Sequence, residues 1–431
     1  MKNILKFLSS LVSLILLLIW ITNSEAAIPL DKLKVDLGLQ YRVMYNLSNI
    51  GTEDDYEFFR QRMRITLDVK PTTNAGGYAQ IEYRGGWGGT SPAESDPRVV
   101  PAFADWSPPF NRLQARGIRY GYVYASPADG HMLKAGILPA SDQLGDTIFS
   151  ADWDFNVGGI LYKGKADTID YRAAYLRLVD DLTDKEDDRN GGLYIIDLNT
   201  AIEAVKIGGH IYYLSIDKDA AGFDDTKQGW YGLTASAKVN MVDVNGFVVL
   251  NSGEVGDESN DGFGVKVEGG IPVGKMRVSG MAIMTTGDED PAKGFMTLEG
   301  ILGTGGYWAY TYIFTPHGPS DVNDYGLEIG NGGYGLTTIQ AKLDVPITNN
   351  LGAQVQVGWF QSNEDIDIGG GETDKDLGTE FGGQVKYEVA KNLNLEAGLS
   401  FASLGDAGKT SYQGVDESSV KEIFGRFQLE F

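Results

Sequence analysis

Cysteine is absent and histidine occurs only three times in 431 residues. The first absence excludes disulfide frameworks, thiolate metal sites and thiol nucleophiles together. The second leaves His131, His210 and His317 as the only imidazole bases. After Ile21 no segment is apolar enough for a membrane helix of ~20 residues. Positive charge is also scarce: 36 Lys and Arg stand against 59 Asp and Glu, for a net charge of −23. That balance argues against nucleic acid as a partner, because its recognition needs basic surface. No linker or shift in composition divides the chain, so a length that would ordinarily serve two or three domains reads as one repetitive unit.

What the sequence does have is alternation. Backwards from the last residue, Phe431, Leu429, Phe427, Gly425 and Ile423 fall on one face, with Glu430, Gln428, Arg426 and Glu422 on the other. Leu393 to Phe401 and Phe381 to Val389 repeat the pattern, apolar on one side and polar or charged on the other. This is strand periodicity. Long antiparallel strands with one apolar face predict a closed sheet with lipid outside and water inside. A mean hydropathy of −0.19 is compatible with that, because alternating strands average out. The strands predicted along the chain number about eighteen, with 16 to 20 admissible. The fold class is therefore all-β, a transmembrane antiparallel β-barrel. The span 287–333 is read as one large loop, the alternative being a further hairpin from Phe295 to Leu302 and Tyr307 to Phe314.

At the other end, Lys2 and Lys6 precede an apolar run from Phe7 to Ile21, and Ser24-Glu25-Ala26 offers a cleavage site. Residues 1–26 are expected to be a signal peptide and 27–431 the barrel. Short connections such as 70–74, 272–275, 346–350 and 390–392 are expected on the periplasmic side. Longer acidic ones, 88–111, 139–156, 179–190, 217–227, 363–377 and 405–417, are expected outside.

Alternation also assigns faces. Leu37, Leu39, Tyr41, Val43 and Tyr45 point outward, as do Phe59, Met63, Ile65, Leu67 and Val69. Arg42, Arg60, Arg62, Arg64 and Arg84 then point inward. On the next strand Ile118, Tyr120, Tyr122 and Tyr124 are read as outward and Arg119 as inward. Arginine facing lipid would cost ~2–4 kcal/mol near the midplane, so the six arginines are expected to line the pore as a basic wall.

Strand pattern, loop order and a final Phe431 resemble the Gram-negative outer-membrane porins. The resemblance implies a water-filled channel for passive diffusion of small hydrophilic solutes and ions, with no enzymatic activity and no cofactor. It implies that the third outer loop, 139–156, folds inward and carries Asp142, Asp146, Asp152 and Asp154 toward the arginines. The Gly145-Asp146 and Asp152-Trp153-Asp154 segments are similar to those of alginate-export-like barrels, which leaves open a channel for an acidic sugar or polysaccharide. A barrel acting as scaffold or sleeve for another outer-membrane component, such as a redox protein, is the third alternative. Expected partners are outer-membrane lipid and lipopolysaccharide, the barrel-assembly machinery and small solutes, with a homotrimer left open.

Other motifs carry less. Gly330-Asn331-Gly332-Gly333-Tyr334-Gly335 fits a G-x-G-x-x-G pattern but precedes a strand, so its glycines are read as loop-forming. Asp257, Ser259, Asp261 and Glu268 have the spacing of a calcium loop, without flanking helices. The acidic run Asp180, Asp181, Asp184, Glu186, Asp187 and Asp188 reads as a hydrated outer loop. Asn46-Leu47-Ser48 is a glycosylation sequon without a role in a bacterial outer membrane. His210 shares its strand face with Tyr212 where a barrel lipase would want serine, and all three histidines are read as ordinary surface or lumen residues.

If Phe431 is an assembly signal, deleting it or replacing it with a charged residue should lower the amount of heat-modifiable barrel in the outer membrane. Gel-shift measurement on membrane fractions checks this, and unchanged levels count against it.

Overall fold

The computed structural model describes residues 33–51, 55–86, 114–152, 155–180, 190–218, 224–302, 308–315, 326–411 and 418–431. The expected signal peptide, Asp154, His317 and Asp181 to Asp188 lie outside these residues. Eighteen strands follow in order. The first nine are β1 (Lys34–Ser48), β2 (Tyr56–Lys70), β3 (Ala75–Gly86), β4 (Gln114–Ala125), β5 (Met132–Pro139), β6 (Asn156–Ala166), β7 (Ile169–Asp180), β8 (Asn190–Ile202) and β9 (Val205–Ile216). The second nine are β10 (Thr226–Val239), β11 (Val242–Val255), β12 (Glu258–Val273), β13 (Met276–Thr285), β14 (Leu336–Pro346), β15 (Leu351–Gly369), β16 (Glu372–Ala390), β17 (Leu393–Leu404) and β18 (Ser419–Glu430). Two short helices, α1 (Leu298–Leu302) and α2 (Asp406–Ser411), lie in connections.

Each strand pairs antiparallel with its neighbours in sequence, and β1 pairs with β18 from Gln40↔Glu430 to Ser48↔Glu422. The sheet therefore has no free edge. Burial is inverted relative to a soluble protein. Leu37 is 70% exposed and Leu233 65%, whereas Arg60 and Arg64 are 5% and 9% exposed. The apolar belt faces lipid and the charged residues face inward, as period-2 alternation requires. The two-residue turns need a left-handed backbone, supplied by Asp167, Asn240, Gly274 and Asn392 with φ between 55° and 68°.

Three expectations need correction. Tyr120, Tyr122 and Tyr124 point inward, not to lipid: Tyr124 Oη donates to Asp68 (2.7 Å), Tyr122 stacks on Tyr78, and Tyr120 is buried. The cause is a bulge, for Gln80 pairs with Tyr120 but Ile81 with Ile118, so Arg119 is an extra residue and alternation breaks there. The connection 363–377 is not an irregular loop. β15 and β16 run on through register shifts and close on Gly370-Gly371. The calcium-loop spacing at 257–268 falls on a two-residue turn followed by β12, where Asp261 and Glu268 are seven residues apart. At ~3.3 Å per residue they stand roughly 23 Å apart and on opposite faces, so they do not share a cation.

The span 286–335 holds no strand among its described residues, in keeping with one large loop. It does not project outward, however, but turns into the barrel, where Trp308, Tyr312, Ile313 and Phe314 are all buried.

An epitope tag inserted at the Gly370-Gly371 hairpin tip should be labelled on intact cells, while one at Asn392 should be labelled only after permeabilisation. Surface immunofluorescence reads the difference, and the opposite pattern would reverse the barrel's orientation.

Candidate channel constriction

Two connections fill much of the interior: L3 (140–155) and L7 (286–335). Each is folded around buried carboxylates. In L3, Asp142 Oδ1 accepts from Leu144 N (2.7 Å), and Oδ2 accepts from Ile148 N (2.5 Å) and Phe149 N (2.9 Å). Burial pushes this carboxyl up to about 6 while the three N–H donors hold it down. Around that clamp Leu144, Ile148 and Phe149 pack into a core with Leu161, Leu176, Leu193 and Tyr212, residues of β6 to β9. Phe149 meets Tyr212 edge-on, with ring centroids 5.2 Å apart.

A polar network ties the root of L3 to the wall. Asp197 on β8 accepts from Arg172 Nε (2.5 Å) and Tyr212 Oη (2.8 Å), and His210 Nδ1 lies 2.8 Å from it. Arg172 Nη1 donates to Ser141 O (2.8 Å), and Gln143 N donates to Tyr212 Oη (2.8 Å). His210 Nε2 lies 2.9 Å from Thr234 Oγ1, which completes a hydroxyl–imidazole–carboxylate line across three strands. With Asp197 also held by Arg172 and Tyr212, both bonded to L3, the line reads as an anchor. At the opposite end Arg119 Nη2 and Tyr120 Oη both donate to Ala151 O, at 2.9 and 3.3 Å.

L7 repeats the device. Glu380 on β16 accepts from Tyr312 N (2.6 Å), Ile313 N (3.0 Å) and Phe314 N (3.0 Å), with Ser400 Oγ donating to it at 2.6 Å. Within the loop Glu328 accepts from Gly330 N, Gly332 N and Thr297 Oγ1 at 2.7–3.0 Å, and burial raises its carboxyl. The glycine-rich stretch 330–335 thus wraps the loop's own carboxylate. Phe314 stacks on Phe360 (4.3 Å between centroids), and Trp230 Nε1 donates to Met296 O (2.8 Å).

L3 and L7 pack mainly against β6 to β17, with L3 also reaching Arg119 and Tyr120 of β4 and Tyr312 meeting Phe424 of β18; the arginines stand on the wall from β1 to β4. Arg42, Arg62 and Arg84 are directly opposite one another on three adjacent strands. Arg60 and Arg64 stand one step above and below on β2, ~7 Å apart along the strand per step. Glu82 lies among them, 2.5 Å from Arg64 Nε and from Arg84 Nε and 3.8 Å from Arg119 Nε. Arg42 Nε donates to Gln428 (2.6 Å) and Arg62 Nη2 to Gln40 (3.1 Å). Like charges opposite one another destabilise a sheet, and Glu82, Gln428 and Gln40 stand among the row to offset that cost.

Of the four aspartates expected across from this wall, Asp142 is turned into its loop and does not face water, because its lone pairs serve the loop backbone. Asp146 lies beside Ser141 and Arg172, on the far wall. Asp152 is exposed and close to the arginines, its carbonyl 3.5 Å from Arg119 Nη2. His131, in the β4–β5 turn, has Nδ1 2.8 Å from Tyr162 Oη. The network of Asp197, Arg172 and His210, and the role of Glu380, had no signal in the sequence, since their partners lie on other strands or in distant loops.

No protein-family model matches the chain, and no curated protein does either. Solved structures do match in fold. The chain is similar to OpdO of Pseudomonas aeruginosa (TM-score 0.61, 13% identity, covering 92% of this chain and 97% of that one). It is similar to OccAB1 of Acinetobacter baumannii (TM-score 0.61, 12% identity, 95% and 99% covered). A third is OpdK of Pseudomonas aeruginosa, solved with vanillate (TM-score 0.56, 10% identity, 92% and 98% covered). What is shared is the fold, the closed antiparallel barrel, which in this chain has eighteen strands.

Replacing Asp142 with alanine leaves three buried N–H groups without their acceptor, at a cost on the order of 3 kcal/mol or more. Glu380→Ala does the same to L7. Both variants should form heat-modifiable barrels with raised single-channel conductance; conductance equal to wild type in both would mean that neither loop narrows the pore.

Proposed function

We propose that this protein is an outer-membrane channel selective for small organic anions. The observation that carries the reading is the cross-strand row Arg42, Arg62 and Arg84, extended by Arg60, Arg64 and Arg119, on the inner face of β1 to β4. Guanidinium groups spaced along a wall hold a positive potential there that favours a carboxylate. An anion then moves from one to the next, bound strongly enough to enter and weakly enough to leave. Low-dielectric walls strengthen these charges.

The likeness to a barrel solved with vanillate supports an organic anion as cargo. Two loops latched inside the lumen favour small solutes over an acidic polysaccharide, and they leave little room for a partner protein in a sleeve. Lipopolysaccharide, the barrel-assembly machinery and a homotrimer remain proposed partners and assembly for such a channel.

Converting Arg60, Arg62 and Arg64 together to glutamate should turn anion preference into cation preference. Reversal potentials across a salt gradient in planar bilayers test this; an unchanged potential with a folded barrel would remove the arginine wall from the mechanism.

A further inference from the structure

At the short-turn end of the barrel, the undersides of L3 and L7 and the wall from β6 to β13 enclose a chamber of about 960 Å³. Its apolar lining includes Leu144, Phe247, Met281 and Trp308, all at least nine-tenths buried. Among them stands one buried ammonium, Lys266 on β12, 8% exposed. Directly across the strands on either side it faces Phe247 and Ile283.

The partners of Lys266 are few and distant. Nζ donates to Trp308 O at 3.4 Å and lies 3.7 Å from Glu268 Oε2. Glu268 is itself engaged by Tyr310 Oη at 2.5 Å. Three N–H donors thus share one long hydrogen bond and one loose ion pair among the described residues. A charge this deep is normally compensated by tight pairing, and one that is not, in a water-accessible cavity, marks a binding site. β12 lies across the barrel from β1 to β4, so the ammonium is separate from the arginine wall.

We infer that Lys266 is a second anion subsite, on the periplasmic side of the constriction, taking the carboxylate of a small organic acid whose apolar body rests against Phe247, Met281 and Leu144. The inference rests on the channel reading above and adds the apolar body as a determinant. A solute leaving the arginines is handed to a site where charge alone is insufficient.

The test is block of ionic current in planar bilayers by benzoate, with benzamide as the neutral counterpart and acetate as the anion without a body. In the wild type, benzoate added on the short-turn side should block at concentrations at which benzamide and acetate do not. Lys266→Met should raise the half-blocking concentration about tenfold, and Lys266→Arg should keep it within about twofold. Should the methionine variant fail to yield heat-modifiable barrel, Lys266→Gln is scored in the same way. Equal block of wild type and the neutral variant, equal block by benzamide and benzoate, or no block of the wild type would each overturn the subsite. Failure of the arginine wall is read separately, as a reversal potential unmoved by the glutamate variants while Lys266-dependent benzoate block persists.

Discussion

Everything in this barrel follows from the lack of water inside a bilayer to satisfy a backbone N–H or C=O. A sheet crosses only if closed, and the closure is the β1–β18 ladder, nine residue pairs long in register from Gln40↔Glu430 to Ser48↔Glu422. Once the sheet is closed, each strand has one face in lipid and one in the lumen. The lipid face must be apolar. Polar and charged residues therefore collect inside, which leaves Arg60 and Arg64 at 5% and 9% exposure within and Leu37 and Leu233 at 70% and 65% outside.

The same requirement governs chain that enters the lumen. L3 and L7 have no ladder of their own, yet they pass through a crowded interior with main-chain groups that need partners. Three carboxylates solve the problem in the same way. Asp142, Glu328 and Glu380 each gather two or three backbone N–H groups onto one buried anion, and each anion is stabilised by the donors it orders. Both loops lean mainly on walls between β6 and β17, and the arginines stand on β1 to β4, where L3 touches Arg119 and Tyr120 at its far end. The asymmetry of the channel arises from loop packing as much as from charge placement.

Residues with a two-residue rhythm were legible in order. Phe59, Ile65 and Leu67 against Arg60 and Arg64 assign faces without ambiguity, because an arginine in lipid is too costly. Rhythm failed where the backbone changed step. At Arg119 one inserted residue reversed Tyr120, Tyr122 and Tyr124, and a bulge has no marker in side-chain type. Acidity misled at 363–377, since charges report contact with water and not the absence of strand. Spacing misled at Asp257 to Glu268, where a ligand count along the chain matched but the extended backbone carried the ligands apart.

By itself the sequence determined the barrel, a strand count of about eighteen, which faces meet lipid wherever alternation is unbroken, and that the arginines lie within, because each depends on local alternation and on the energy of placing one side chain in oil or water. Only the tertiary structure decided what occupies the lumen. Asp142 looked like a pore charge and is a loop clamp; Glu380, which nothing in the sequence singled out, holds a loop some seventy residues earlier in the chain. His210 finds Asp197 and Thr234 on adjacent strands, and Lys266 finds, among the described residues, one long hydrogen bond and one loose ion pair. Such roles are set by which distant groups reach hydrogen-bonding distance, and that is a property of the closed sheet and its packed loops.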